Sequence, residues 1–573
     1  MHQKVAGLSN NISLLFQQQI RQQQVHFIQP SVRRILNLSK MKAVISTLVG
    51  ITFLCVIQHT LGANILLFNA VGTHSTRISM TPYMEALANK GHKITFLSPY
   101  ESNDPQKHPN ITDYIPKKWQ AAMGPWEEHI RFYDVRKNKE MVKSWFELKN
   151  LGLAACTMLY TDPDYVEWMK SSKFDIVIVE CIVNECGYGL AHFFNAKLVI
   201  YSTTLAWSSY IDAHGLPDES GSVTDLVYNF PPGNQMSFWQ RFVNALNPVV
   251  YTIMRHRSYF PALEEITKTG LQVEEFASFA EIEKNASLIL LTTHFSMDYP
   301  RSFPPNVIPI GGTVVSKNPK PLPKDMEKFI NEGKEGFIFI SFGSVAEFVN
   351  FDEDVQREFI SALKSFPKMR FIWKSTFEIN ATLPNNILVT KWAPQQTLLG
   401  HPKIKAFLTH AGMGSTTEAI HFSVPLICVP IMAEQDLNSE VIASRNAGIK
   451  LEIVGLRQHE MEHALTEILH NKKYRNGMTK LTEIFKDRQI PPLENAVWWT
   501  EYILRHENTN SFLRSPSVEQ TWWVRRNVDV WVVAAVGVLT VIMTSLLTFY
   551  LVVRKTIQYL CSQPTSSKKQ KMN

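Results

Sequence analysis

Beyond Gly336 the chain alternates short apolar runs with segments of helical spacing, and this alternation constrains the fold more than any other feature of the sequence. The runs are "GFIFISFGS", "MRFIWKS", "NILVTKWAPQ", "IKAFLTH" and "PLICVPI". Strands separated by helices cannot pair as tight hairpins; they assemble as a parallel sheet with helices on both faces. From Asn64, "NILLFNAVGTHSTRISMTPYMEALANKGHKITFLSP", followed by "FDIVIVE" and "AKLVIYSTT", repeats strand, loop and helix and predicts another doubly wound unit. The Pro- and Lys-rich stretch "SKNPKPLPKD", Ser316–Asp325, cannot pair as a central strand and reads as a linker. Two such halves facing each other leave a cleft at the carboxyl ends of their strands, where ligands of open α/β sheets bind. A chain of 573 residues has room for both cores.

One turn in the second half points to a ligand. In "FLTHAGMGSTTEAI", Ala406–Leu408 reads as the end of a buried strand and Thr416–Phe422 as a helix with Glu418 on its first turn. Gly412 and Gly414 permit positive φ and close backbone approach, and Ser415 offers an N-cap hydroxyl, so unpaired N–H groups point out of the sheet edge toward an anion. The pattern is neither G-x-G-x-x-G nor G-x-x-x-x-G-K-[ST], which leaves a dinucleotide, a nucleotide-sugar epimerase or dehydrogenase, and a P-loop without support. A phosphate ester stays open beside the plainer reading of αβ punctuation.

The ends of the chain carry membrane signals. Val528–Val553 is interrupted only by Asp529 and exceeds the roughly 20 residues that span a bilayer. Trp522 and Trp523 precede it as an interfacial belt, and Arg554, Lys555, Lys568, Lys569 and Lys571 outnumber Arg525 and Arg526, which puts the tail in the cytosol and the body in the lumen. Met41–Ala63 has one Lys, an apolar run and small residues at its end, the layout of a secretory signal; residues 1–40 resemble no domain, an amphipathic transit peptide being the alternative. Lys569 and Lys571, fifth and third from the end, resemble a di-lysine signal that returns membrane proteins to the endoplasmic reticulum. Asn110, Asn285 and Asn380 head sequons in the body. The net charge of +7 sits at the ends, since the first acidic residue is Glu85 and the tail is Lys-rich; no basic patch interleaved with aromatics marks the middle, which speaks against nucleic acid. Cys156, Cys181, Cys186 and Cys428 are too few and too irregular for a disulfide framework or a zinc site.

From "FISFGSV" through "TKWAPQQTLLGHPKIKAFLTHAGMGSTTEAI" to "VPLICVPIMAEQDLNSEVI" the sequence resembles the signature region of UDP-glycosyltransferases. With its anchor it is similar to the animal UDP-glucuronosyltransferase and UDP-glycosyltransferase group, most of all its insect members. The resemblance implies a GT-B fold: an N-terminal acceptor domain at 64–315, the linker 316–325, a C-terminal UDP-sugar domain at 326–490, returning and juxtamembrane segments at 491–527, the transmembrane helix 528–553 and a tail at 554–573.

Carried over residue by residue, the resemblance implies that Trp392 stacks on uracil, Gln395 helps hold the nucleoside, and Glu418 accepts hydrogen bonds from the ribose. His410, Gly412, Gly414 and Ser415 would meet the diphosphate, with Ser344 of the "FGS" turn as a further donor. Glu434 and Gln435 would bind hydroxyls of the transferred sugar. His74, in "VGTHST", matches the family's catalytic base, and Glu180 stands where an orienting Asp is usual, with Asp175 as fallback. Ala411 replaces the usual second glycine, and Gly414 lacks an Asn amide worth on the order of 1 kcal/mol to a diphosphate. By themselves these residues have blander readings: a Trp at a strand end as core, His74 as a loop histidine, Ser344 as a turn serine, Glu434 and Gln435 as a solvated pair.

The expected activity is inverting transfer of a hexose from a UDP-sugar, UDP-glucose over UDP-glucuronate, to hydroxyls of small lipophilic acceptors at the lumenal face of the endoplasmic reticulum, as in detoxification. No cofactor or metal is expected, since direct displacement with one base needs no D-x-D metal pair. The expected partners are the UDP-sugar, the acceptor and the membrane, with a homo-oligomer left open. The competing class is a membrane-anchored binder of lipophilic ligands that keeps the fold without turnover.

Overall fold

The computed structural model describes residues 62–562 apart from 103–107, 124–130, 206–209, 211–212, 218, 229, 232–234, 317–318 and 344–346. All but the last two residues of the expected signal at 41–63, Ser344 and the tail lysines Lys569 and Lys571 lie outside the described residues. The first sheet contains β1 (Asn64–Phe68), β2 (Lys93–Leu97), β3 (Ile111–Tyr114), β4 (Ile176–Glu180), β5 (Lys197–Ser202), β6 (Leu288–Leu291) and β7 (Val307–Pro309), in the order β3-β2-β1-β4-β5-β6-β7. The second contains β8 (Phe337–Ser341), β9 (Arg370–Lys374), β10 (Ile387–Thr390), β11 (Ile404–Thr409), β12 (Leu426–Cys428) and β13 (Gly448–Lys450), in the order β10-β9-β8-β11-β12-β13. Their recorded pairings are parallel. The continuous apolar runs follow from this: Leu66, Ile178, Phe339 and Phe407 are covered on both faces of their sheets and are fully buried. In each sheet the order reverses beside its first strand, between β1 and β4 and between β8 and β11. Crevices for ligands open at such reversals.

Helix α1 (His74–Asn89) follows β1, and α2 (Phe132–Lys137) reaches across to the second half. There Phe132 and Tyr133 are buried in its core, and Arg136 grips Asp436 with two hydrogen bonds of 2.7 and 3.1 Å. A C-terminal helix, α9, returns to the first half. It spans Pro492–Arg505, and Thr500 meets Tyr83 at 2.6 Å. Helix α6 (Lys324–Glu332) begins inside the stretch expected as linker, because its Pro-terminated start suits a first turn. The last helix, α10, runs over Val528–Ser562 with a mean hydropathy of 2.4 across its most apolar window, continuing past the expected end at Val553 through Arg554 and Lys555.

The cysteine expectation needs correction. Cys156, on α3 (Met141–Tyr160), and Cys186, opening α4 (Cys186–Phe193), form a disulfide, their Cα atoms 5.7 Å apart. Spacing along the chain carried no sign of it, because packing of α3 beside the start of α4 creates the proximity. Cys181 and Cys428 are buried thiols.

Candidate active site

His74 is placed by its own helix start. Thr73 caps α1: its hydroxyl accepts from Thr76 N–H at 3.1 Å, and Thr76 Oγ1 accepts from Thr73 N–H at 2.8 Å, a reciprocal box that fixes the first turn. The loop before it is held from beneath by Trp119, whose indole N–H donates to Ala70 O at 2.8 Å. The imidazole packs on Tyr100 with ring centroids 4.0 Å apart. Burial, then the charges of Arg77 and Lys374, lower its pKa, which keeps the ring neutral.

Glu180 ends β4 on the other side of the same crevice and is fully buried. Its carboxylate accepts from Thr203 Oγ1 at 2.7 Å, Ile182 N–H at 2.8 Å and Asn184 Nδ2 at 3.0 Å. His74 is not among these partners, so the direct contact expected from the resemblance is absent; the longer Glu side chain folds back on its own loop. Burial raises its pKa against those hydrogen bonds. The fallback Asp175 precedes β4 at the opposite sheet edge, where it accepts from Asn64 N–H at 2.8 Å, and cannot reach His74.

The second crevice holds the glycine turn. Helix α7 spans Met413–His421, with Gly412 as N-cap at φ −61°. Ser415 therefore lies inside the first turn, and the left-handed residue is Ala411 at φ 63°, correcting both sequence expectations. Asn438 Nδ2 supports that conformation by donating to Ala411 O at 2.9 Å. Gly412, and Gly343 across from it, are explained by His410 instead. A Cβ on Gly412 would stand 2.7 Å from His410 Nε2, and one on Gly343 would stand 2.7 Å from its Cε1, so the imidazole is walled by two residues that can have no side chain. Burial and then Lys374 push the His410 pKa down to about 4. A Cβ on Gly414 would meet no atom within 4 Å.

Around this turn the expected nucleoside groups gather. Gln395 Nε2 donates to Glu418 Oε2 at 2.6 Å and to Ser415 Oγ at 3.2 Å, while Gln396 Nε2 donates to Glu418 Oε1 at 2.7 Å. Burial pushes the Glu418 carboxyl up to about 7 although both amides oppose the shift. Trp392 is 52% exposed, so its ring face is not spent on the core. Glu434 accepts from Met413 N–H at 3.2 Å, and Gln435, opening α8 (Gln435–Ser444), accepts from Ile431 and Met432 N–H at 2.8 and 3.0 Å. The sequons fall at an exposed Asn380, at Asn110, whose amide donates to Ala88 O, and at Asn285, whose side chain meets Arg514.

Three residues were not foreseen. Asn184 links Glu180 to the loop before His74, and Gln396 shares Glu418. Lys374, at the carboxyl end of β9, donates from Nζ to Gly343 O at 2.9 Å and lowers the pKa of both His74 and His410. A lysine after a strand carries no motif; its meaning arises only when the two sheets face each other.

The family profile described as UDP-glucoronosyl and UDP-glucosyl transferase matches residues 64–563, the whole of this two-sheet body and the apolar helix. The chain belongs to the UDP-glycosyltransferase family. It is 30% identical to UDP-glucosyltransferase 2 of Dactylopius coccus over 74% of this chain and 81% of that protein. It is also 30% identical to UDP-glucuronosyltransferase 1-2 of Rattus norvegicus over 89% and 93% of the two chains. Membership is therefore with animal UDP-glycosyltransferases broadly, and the insect lean is not singled out. The solved structure of CalG4, the calicheamicin glycosyltransferase, matches with a TM-score of 0.52 at 15% identity over 78% of this chain and 99% of that one, as befits a shared GT-B fold. This UDP-glycosyltransferase thus uses a UDP-sugar as co-substrate and carries one C-terminal helix able to span a membrane.

Proposed function

We propose that this UDP-glycosyltransferase transfers a hexose, from UDP-glucose in preference to UDP-glucuronate, to hydroxyls of small lipophilic acceptors with inversion at the anomeric carbon. The observation that supports this reading is Lys374, which donates to Gly343 O at 2.9 Å beside His410 and whose charge also lowers the pKa of His74, as expected if base and anion turn share one cleft. His74, neutral at physiological pH, takes the acceptor's hydroxyl proton as its oxygen attacks the anomeric carbon. The bond from that carbon to the UDP oxygen breaks with its electron pair going to the diphosphate. His410, Ser415, the N–H groups beyond Gly412 and Gly414, the Lys374 ammonium and the expected Ser344 hydroxyl receive that charge.

Trp392 stacks on the base, Gln395 and Glu418 hold the nucleoside, and Glu434 and Gln435 meet the sugar hydroxyls once the donor displaces their internal partners. Glu180 acts on His74 through Asn184 and the loop at Val71, as a positioning residue. Charge neutralisation comes from protein groups, with no metal invoked. The site faces the lumen of the endoplasmic reticulum, with Lys569 and Lys571 returning the anchored chain there. Incubation with UDP-glucose and lipophilic phenols should release UDP and yield the β-glycoside from the α-linked donor. A folded, donor-binding chain that releases no UDP would leave only the binding reading.

A further inference from the structure

Helix α5 spans Phe238–Met254, and its amphipathicity is turned outward. Trp239, Phe242, Val243, Leu246, Val250 and Ile253 fall at spacings of three or four residues along one stripe and are between 39% and 69% exposed. The helix buries its polar side: Asn244 Nδ2 donates to Ser220 O and Val223 O at 2.7 Å, and its Oδ1 accepts from Asp225 N–H at 2.7 Å. Asn247 and Pro248 are buried with it. These buried hydrogen bonds fix the rotation of the helix, so the aromatic stripe is directed outward by the fold. A contiguous apolar surface of this kind marks an interaction site, in contrast to scattered single apolar residues.

The stretch of chain that leads into the membrane anchor touches the same segment. Ser517 Oγ donates to Gly215 O at 3.1 Å, only eleven residues before α10 begins at Val528, and the chain from Gly215 leads directly into the Ser220–Asp225 stretch that clasps Asn244. Trp522 and Trp523, partly exposed, lie between that contact and the anchor. From Phe238 to Arg257 there is no acidic residue, whereas Arg241 and Arg257 are exposed, which suits a surface of anionic headgroups.

We propose that α5 is a second membrane contact: it lies in the interfacial region of the leaflet that Trp522 and Trp523 enter, with its aromatic stripe among the acyl chains. The N-terminal half is thereby laid on the bilayer at two places. To test this, the full chain is prepared with Cys561→Ser and one of Trp239→Cys, Val243→Cys, Leu246→Cys or Val250→Cys, each carrying a nitroxide. Lys364→Cys, exposed on the second half, gives the aqueous reference. The protein is selected on immobilised UDP, so that only folded chain is read, and reconstituted in phosphatidylcholine–phosphatidylserine vesicles. The expected result is high collision with oxygen and low collision with a water-soluble nickel chelate at all four positions, at a depth of about 5–10 Å. Nickel collision equal to that at Lys364→Cys overturns the proposal by placing the stripe in water. Low collision with both probes also overturns it, because the stripe is then covered by protein, a second copy included.

Discussion

Asn184 holds Glu180 with an amide hydrogen bond of 3.0 Å, and with its carbonyl oxygen it accepts from Val71 N–H at 2.7 Å in the loop that leads to His74. The buried carboxylate and the candidate base are therefore coupled through one side chain, without touching. Asn184→Ala leaves both partners short of a hydrogen bond in a dry site and should cost about 1–3 kcal/mol of stability. It should lower kcat while leaving UDP-sugar affinity unchanged. His74→Ala should lose at least about a hundredfold in kcat with the fold intact. Thermal unfolding and steady-state kinetics check both; near-normal turnover by His74→Ala would remove it from the role of base.

Lys374→Met should weaken donor use by about ten- to a hundredfold in kcat/KM, the scale of a lost hydrogen bond to a charged group. It should also move the pH profile. Lys374 lowers the His74 pKa, so its removal lets that pKa rise, and the acid limb of kcat/KM shifts to higher pH because the base must be neutral. A variant with reduced activity and an unmoved acid limb would confine Lys374 to the phosphate side.

If Glu418 holds the ribose as proposed, donor binding should be pH dependent. Its folded pKa of about 7 lies above the ordinary value of 4.5, so the stability it contributes to the empty protein is complete at low pH and is lost as pH rises through about 7. The carboxylate form is the better acceptor for ribose hydroxyls. UDP-glucose should therefore bind more tightly, and raise Tm by more, as pH increases from about 6 to 8. Glu418→Gln should flatten that slope in calorimetric titrations. His410, with a pKa of about 4, stays neutral across the same window and contributes no slope.

Local pattern revealed the sheets and the strand–turn–helix at His410, because apolar runs and paired glycines are properties of contiguous residues. Tertiary juxtapositions were hidden. Arg136 lies 300 positions before Asp436, which it grips across the domains, and Lys374 matters through two histidines on different sheets. Ala411 could not be seen to take the left-handed conformation, since an alanine is ordinarily excluded there and only the support from Asn438 makes it tolerable. The turn of Glu180 away from His74 depends on Thr203 and Asn184, neighbours that come from separate loops.

The Cys156–Cys186 bridge closes a loop of sequence separation 30. In the chain-entropy account this constrains the unfolded state by about 3–4 kcal/mol. Cys156→Ala combined with Cys186→Ala should lower Tm and denaturant midpoint accordingly, while UDP affinity at low temperature is kept, because the bridge lies within the first half and the donor groups lie in the second. Equal Tm with and without reductant would show that the bridge adds nothing to stability.

The proposed donor preference rests on where the cations are spent. Glucuronate brings a carboxylate that needs a cationic partner in a desolvated site, whereas glucose needs only hydroxyl partners. Arg255, a candidate to enter from the first half, is buried against Glu283 at 2.6 Å and Glu185 at 3.1 Å, committed to its own core. Arg136 does approach the Glu434–Gln435 segment, but Asp436 and Glu452, each 2.7 Å away, already take its charge. Lys374 and the exposed Arg257 remain, and in the proposed mechanism Lys374 is engaged with the diphosphate. A glucuronate carboxylate would also face Glu434 at the sugar site. Equimolar UDP-glucose and UDP-glucuronate offered together with one phenol should therefore give mainly glucoside by product mass. Predominant glucuronide would show that Lys374, Arg136 or Arg257 is turned to the sugar, and Lys374→Met, Arg136→Met and Arg257→Met, assayed in the same competition, would identify which of them it is.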